Sequence, residues 1–163
     1  MSLLRTIGIF FFIAAVCYAQ SEVEPLRFNA EGFSIKALPS GDSNANGQRA
    51  VCAFFLPPSG GFAPNINILI QPPIPIEEFA KLSKQQFDMF GFKVIKDAVV
   101  LPNEWSVEYE GNTQGRPCHF FARAVRTEKK VFLITATTAA DQWDKTSPQL
   151  IECVKSFALT GAH

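Results

Sequence analysis

The sequence predicts an α+β domain, a mainly antiparallel sheet of about six to seven strands with helices packed on its faces. Three observations carry that prediction. The stretch 130–159 reads as an apolar strand, a turn rich in capping residues and a closing amphipathic helix. A second helical stripe lies upstream, after Gln71. Between the two, the segments alternate in polarity and are joined by connections of hairpin length, which antiparallel neighbours require.

In the first of these stretches Val131, Phe132, Leu133 and Ile134 follow one another without a polar break. That is the pattern of a strand covered on both faces, and such a strand sits centrally in its sheet. Ser147 and Pro148 then supply a cap hydroxyl and a proline suited to a first helical position. Leu150, Ile151, Val154 and Phe157 share one helical face, with Cys153 beside them. Lys155 lies late in the helix and Gly161 follows as a stop. An earlier helical turn can start at Thr138, with Asp141 in the third position, so a break or bend is expected near Ser147.

The chain opens with Met1–Ala19, where Arg5 precedes the apolar run Ile7–Val16 and a small residue closes the segment. This is the pattern of a signal peptide cleaved after Ala19. The run is shorter than the roughly 20 residues that a spanning helix needs. Lipidation at Cys17 is disfavoured because bulky Val16 precedes it. Of 163 residues, removing these 19 leaves 144, the size of one ordinary domain. Residues 20–26 are then a polar leader, 27–159 the folded domain and 160–163 a tail. Without Arg5 the mature chain has fourteen basic and fifteen acidic residues, which gives no electrostatic case for nucleic acid or an anionic membrane. Membrane contact is then expected only through an uncleaved leader, and the mature chain is expected to be a secreted or periplasmic monomer.

Within the domain, Arg27–Leu38 is expected as a first strand, Pro39–Gln48 as a loop and Arg49–Leu56 as a second strand. Pro57–Pro64 connects to a third strand, Asn65–Gln71. Pro75, Glu77 and Glu78 prime a helix in which Phe79, Leu82, Phe87 and Phe90 form a stripe ending at Gly91. Phe92–Leu101, Glu104–Glu110, Arg116–Arg126 and Val131–Thr138 complete seven strands, with Gly111–Gly115 as a hairpin loop. Trp105, Val107 and Tyr109 alternate with Ser106, Glu108 and Glu110.

The order of elements, the hairpin Trp105–Gly111, the strand ending Thr135-Ala136-Thr137-Thr138, Trp143 just after it and the terminal Ile151–Phe157 resemble the PsbP-like superfamily. That group includes the photosystem extrinsic subunit PsbP, Ran-binding Mog-type proteins and bacterial DcrB-like relatives. The resemblance spans roughly Arg27 to Leu159 and implies an α/β/α sandwich used for protein–protein docking, with no shared catalytic site and no cofactor. A plain secretory leader argues against a photosystem role and against a nuclear partner. The partner expected is an extracytoplasmic protein or, as an alternative, an apolar small molecule.

Candidate chemistry is sparse. Cys118 and His119 are sequence neighbours, and successive strand residues point to opposite faces, so they cannot form a dyad. His119 reads as a surface or edge histidine, and His163 as part of the tail. Glu108 and Glu110 share a strand face about 6–7 Å apart, a spacing compatible with acid–base work or Ca²⁺ but more typical of a solvated face. A hydrolase-type site assembled from Glu108, Glu110 and His119 remains the enzymatic alternative, and it requires a deep polar cleft. Gly60-Gly61 lacks the residues of a phosphate-binding loop. Arg116, Arg123, Arg126, Lys129 and Lys130 read as a solubilising edge. For a docking surface the candidates are Trp143, Phe62, Glu108 and Glu110. After removal of the leader three cysteines remain, and a disulfide is expected between Cys153 and either Cys118 or Cys52, with free, buried thiols as the alternative.

Overall fold

A computed structural model describes residues 24–36 and 50–160. The leader, Cys17, the loop 39–48, Gly161 and His163 lie outside the described residues. The elements are β1 (Leu26–Phe28), β2 (Phe33–Ile35), β3 (Ala50–Phe55), β4 (Asn65–Gln71), α1 (Ile76–Met89), β5 (Lys93–Leu101), β6 (Glu104–Thr113), β7 (Arg116–Arg126), β8 (Val131–Ala139), a 3₁₀ turn (Ala140–Gln142), α2 (Trp143–Lys155) and β9 (Ala158–Leu159). Six strands form one antiparallel sheet in the order β3-β4-β8-β7-β6-β5, and β1-β2-β9 form a small second sheet. The fold is therefore α+β, with β8 in the interior as its unbroken apolar run demands.

Alternation along the strands divides the core in two. Val131 packs with Ile76, Phe79, Trp105, Val107, Tyr109 and Phe120 on the α1 side. Its neighbour Phe132 packs with Ile66, Ile134, Leu150, Val154 and Phe157 on the α2 side, where β2 adds Phe33 and Ile35. Each of these side chains contributes roughly 1.5–3 kcal/mol on burial, and each face supplies enough of them to hold one helix. α1 begins after Pro75, whose missing N–H costs nothing there, and ends at Phe90 before Gly91 at φ +69°.

Three expectations are corrected. The first strand is not continuous from Arg27 to Leu38. A turn at Asn29–Gly32, with Gly32 at φ +77°, folds it into the β1–β2 hairpin, and β2 pairs with β9 instead of joining the main sheet. The closing helix is not broken near Ser147. It starts at Trp143 and runs through Pro148, which faces solvent, so the carbonyl one turn back loses its amide donor where water is at hand. The stripe on α1 is shorter than its periodicity suggests: Ile76, Phe79 and Ala80 are buried, whereas Leu82 and Phe90 are exposed.

At the far end of β6, Gly111 lets the Phe92 ring approach so closely that a Cβ there would collide with it. Phe92 also stacks on Tyr109 and Phe120, at centroid distances of 5.8 and 5.7 Å, so it has little freedom to retreat. Gly111→Ala is expected to destabilise the protein by about 1–3 kcal/mol, measured by urea unfolding, with Phe92→Leu in the same chain recovering part of the loss. An unchanged midpoint for Gly111→Ala would show the ring to be movable.

Candidate functional site

The register between β6 and β7 sets Glu110 opposite His119 and Glu108 opposite Phe121, one diagonal step away, and β8 places Thr138 on the other flank of His119. Side chains across one face lie within reach of one another at these positions. Glu108 Oε1 is 2.8 Å from His119 Nε2, and Glu110 Oε1 is 3.1 Å from Nδ1. Trp143, the first residue of α2, stacks on the imidazole with ring centroids 3.7 Å apart and planes 14° from parallel. Thr146 donates its hydroxyl to the Gln142 carbonyl at 2.9 Å and accepts from the Thr138 hydroxyl at 3.2 Å, closing the cluster on the helix side.

Three of the sequence candidates, Glu108, Glu110 and Trp143, thus converge on His119. His119 itself is not at the surface: it is 5% exposed, because its strand has neighbours on both sides and α2 lies over it. Cys118, by contrast, points into the α1-side core, as strand alternation requires. A neutral imidazole has one N–H, so both carboxylate contacts are hydrogen bonds only when the ring carries a second proton or one carboxyl is protonated. The carboxylates reach opposite nitrogens of the ring, and among the described residues no three His, Cys, Asp or Glu side chains are placed to hold a metal. The Ca²⁺ spacing of Glu108 and Glu110 is used on a histidine instead.

Farther along β7 a second polar group reaches the other end of the same helix. Arg123 is held by Glu104 at 2.8 and 3.0 Å and donates to the carbonyl of Phe157 at 2.9 Å, just past the last turn of α2. The basic residues therefore do not form one solubilising edge. Arg116 donates to the Gly60 carbonyl at 3.0 Å and lies over the Phe62 ring, and Lys130 donates to the Glu31 carbonyl at 3.2 Å.

Phe62 packs partly buried against the α1-side core. The docking candidates Phe62 and Trp143 are thus half-buried plugs. Among the described residues the most exposed large apolar side chains are Met89 and Phe90, 81% and 70% exposed, at the C-terminal end of α1. Phe90 was legible as a residue of a helical stripe but not as surface, and Met89 was not singled out, because periodicity gives a side chain's face and not its depth.

Two open pockets accompany these groups. One, of about 410 Å³, lies at the end of the sheet between Gly60, Arg116, Pro117, Ala139 and Asp141. The other, of about 400 Å³, lies between α1 and β5, is rimmed by Glu77, Lys81, Lys84, Asp88 and Asp97, and has Trp105 at its floor with an indole N–H that has no partner among the described residues. The three thiols are unbridged. Cys118 and Cys153 belong to cores on opposite faces of the sheet, so the pairing of these two expected from sequence is not realised. Burial pushes the Cys52 and Cys153 thiols and the Tyr109 phenol up to about 12.

No protein-family model and no curated protein matches this chain. Solved structures do. A cyanobacterial PsbP (CyanoP) from Synechocystis superposes with a TM-score of 0.58 at 13% identity, covering 90% of this chain and 98% of that one. LpqN of Mycobacterium tuberculosis, described as involved in cell envelope biogenesis, gives 0.61 at 12% identity, with 85% and 90% covered. PA94 of Pseudomonas aeruginosa, a protein of unknown function described as a putative regulator, gives 0.58 at 15%, with 85% and 98% covered. The fold is accordingly PsbP-like, as the sequence resemblance implied. At these identities the likeness extends to the fold and no further.

His119→Phe keeps a ring against Trp143 while removing both ring nitrogens from two partly buried carboxylates. It is expected to lower stability by about 1–3 kcal/mol, and Glu110→Gln, at the more exposed position, by less than about 1. Urea unfolding of the two single variants and of Glu108→Gln/His119→Phe checks this. Wild-type stability in His119→Phe would mean that the carboxylate contacts do not hold the helix.

Proposed function

We propose that this chain is an extracytoplasmic, non-enzymatic docking domain that binds a partner protein through the end of the molecule carrying Met89 and Phe90. The observation that carries the reading is the contrast between spent and unspent groups. The single buried histidine of the described residues has both nitrogens engaged and one ring face covered, so it offers no free lone pair to a substrate. Met89 and Phe90, adjacent and largely exposed, leave most of their apolar area uncovered, the Phe90 ring meeting Phe92 at 6.2 Å on one side.

The leader supports export, and no helix among the described residues is long and apolar enough to cross a membrane. Among proteins of this fold, LpqN is described by its part in envelope biogenesis. A carrier of apolar ligands is less well supported, since the pocket beside α1 is rimmed by charged side chains. An enzymatic site at Glu108, Glu110 and His119 requires a cleft open to substrate, and these groups face one another instead.

A Met89→Asp/Phe90→Asp variant tests the reading. Removing central apolar anchors from an interface costs about 2 kcal/mol or more, roughly a thirtyfold weakening. Partners recovered from the native extracytoplasmic fraction with the wild-type chain are expected to be lost with the variant, at an unchanged thermal midpoint. Equal recovery by both would move the docking surface elsewhere.

A further inference from the structure

We propose that the pocket between α1 and β5 binds a small zwitterion of the amino acid or dipeptide class, held by the indole N–H of Trp105 and by the charged flank of the helix. The pocket has a volume of about 400 Å³, within the range of small-molecule sites. Trp105 lines it, is 1% exposed, and has an indole N–H with no hydrogen-bond partner among the described residues. A buried donor left unpaired is costly, and native structures retain few of them. An acceptor brought by a ligand removes that cost.

The walls of the pocket come from two elements. On α1, Glu77, Lys81, Lys84 and Asp88 follow one another at spacings of three and four, so they form one charged flank beside the buried stripe. On β5, Asp97 is the register partner of Val107, which belongs with Trp105 to the core on the α1 side. A carboxylate thus stands in the row that strand alternation reserves for core side chains. Lys84 meets it across the pocket at 3.0 Å, and with side chains 46% and 37% exposed the pair parts readily. When it parts, an acceptor has a way to the indole and Asp97 is free to take a cation.

The lining narrows the class of ligand. Three carboxylates against two ammonium groups do not suit a simple anion. A lone cation would leave the indole N–H unpaired. An apolar ligand would strip water from the charged rim without replacing it. A sugar would gain from an open aromatic face, and the Trp105 ring is covered, with Phe79 meeting it edge-on at 6.1 Å and 67°. A zwitterion answers both needs. Its carboxylate accepts from Trp105 Nε1 and Lys81 Nζ, its ammonium donates to Asp97, and such charge-assisted bonds are the strong ones. The site includes neither Met89 nor Phe90, so it stands or falls apart from the docking surface.

The test titrates the mature chain, isotope-labelled for NMR, with L-alanyl-L-alanine up to about 10 mM. It follows the indole N–H signals of Trp105 and Trp143, told apart with Trp143→Phe. Saturable movement of the Trp105 signal is expected, with that of Trp143 fixed. N-acetyl-L-alanyl-L-alanine lacks the cation and L-alanyl-L-alanine amide lacks the carboxylate, and each is expected to bind roughly tenfold more weakly. Asp97→Asn is expected to weaken dipeptide binding by about tenfold at an unchanged thermal midpoint, since the ion pair it breaks is exposed. A Trp105 signal that the dipeptide leaves unmoved overturns the proposal. Equal binding of the acetylated or amidated dipeptide, or of glucose, overturns the zwitterion class, and full affinity in Asp97→Asn overturns the part given to that carboxylate.

Discussion

The structure depends on β7 holding its register between β6 and β8. Its residues alternate without fault, Cys118, Phe120, Ala122 and Ala124 facing α1, and His119, Phe121, Arg123 and Val125 facing α2. Two of the residues facing α2 carry nitrogen donors, and each is matched by carboxylates on the adjacent strand. His119 with Glu108 and Glu110 meets the first residue of α2 through the Trp143 ring, and Arg123 with Glu104 meets the chain at its last turn. A slip of one residue would turn both groups into the opposite core. Apolar burial supplies most of the stability of this layer, since Leu150, Val154 and Phe157 are each almost wholly buried. The polar contacts are fewer, and they fix where along the sheet the helix lies.

This division of labour bears on function. A histidine between two glutamates, read from sequence, is the start of an acid–base argument, and in space the three do meet. They meet around a ring that is 5% exposed and lies under the Trp143 indole, which ties both strands to the start of α2. The most exposed large apolar side chains of the described residues, Met89 and Phe90, lie at the C-terminal end of α1.

Much of the architecture was legible. The unbroken apolar run Val131–Ile134 marked an interior strand, the alternation Trp105–Glu110 marked a half-buried one, and Pro75 with Gly91 bracketed the first helix. Misreadings arose where a local signal met a tertiary constraint. Ser147-Pro148 carries the chemistry of a helix start, but the pull of Trp143 onto His119 begins the helix one turn earlier and the proline is accommodated on the solvent side. Phe28 and Phe33 look like one strand, and only Gly32 at a positive φ shows the turn between them. For the site, the residue types at 108, 110 and 143 were identified, but the burial of His119 was not, because a residue's depth depends on which strands flank its own.

The margins of the six-stranded sheet differ from its interior. The four inner strands pair without interruption, whereas β3 is irregular near Val51, and β5 near Ile95 and Val100. An extra residue in an outer strand twists its free row of amides and carbonyls away from the flat template that another chain would need, and Lys93 and Lys96 add like charge along the same border. Growth of the sheet from molecule to molecule is thereby frustrated at either side. A chain with two such ragged borders can be crowded without seeding cross-β fibres, and its associations are left to side chains.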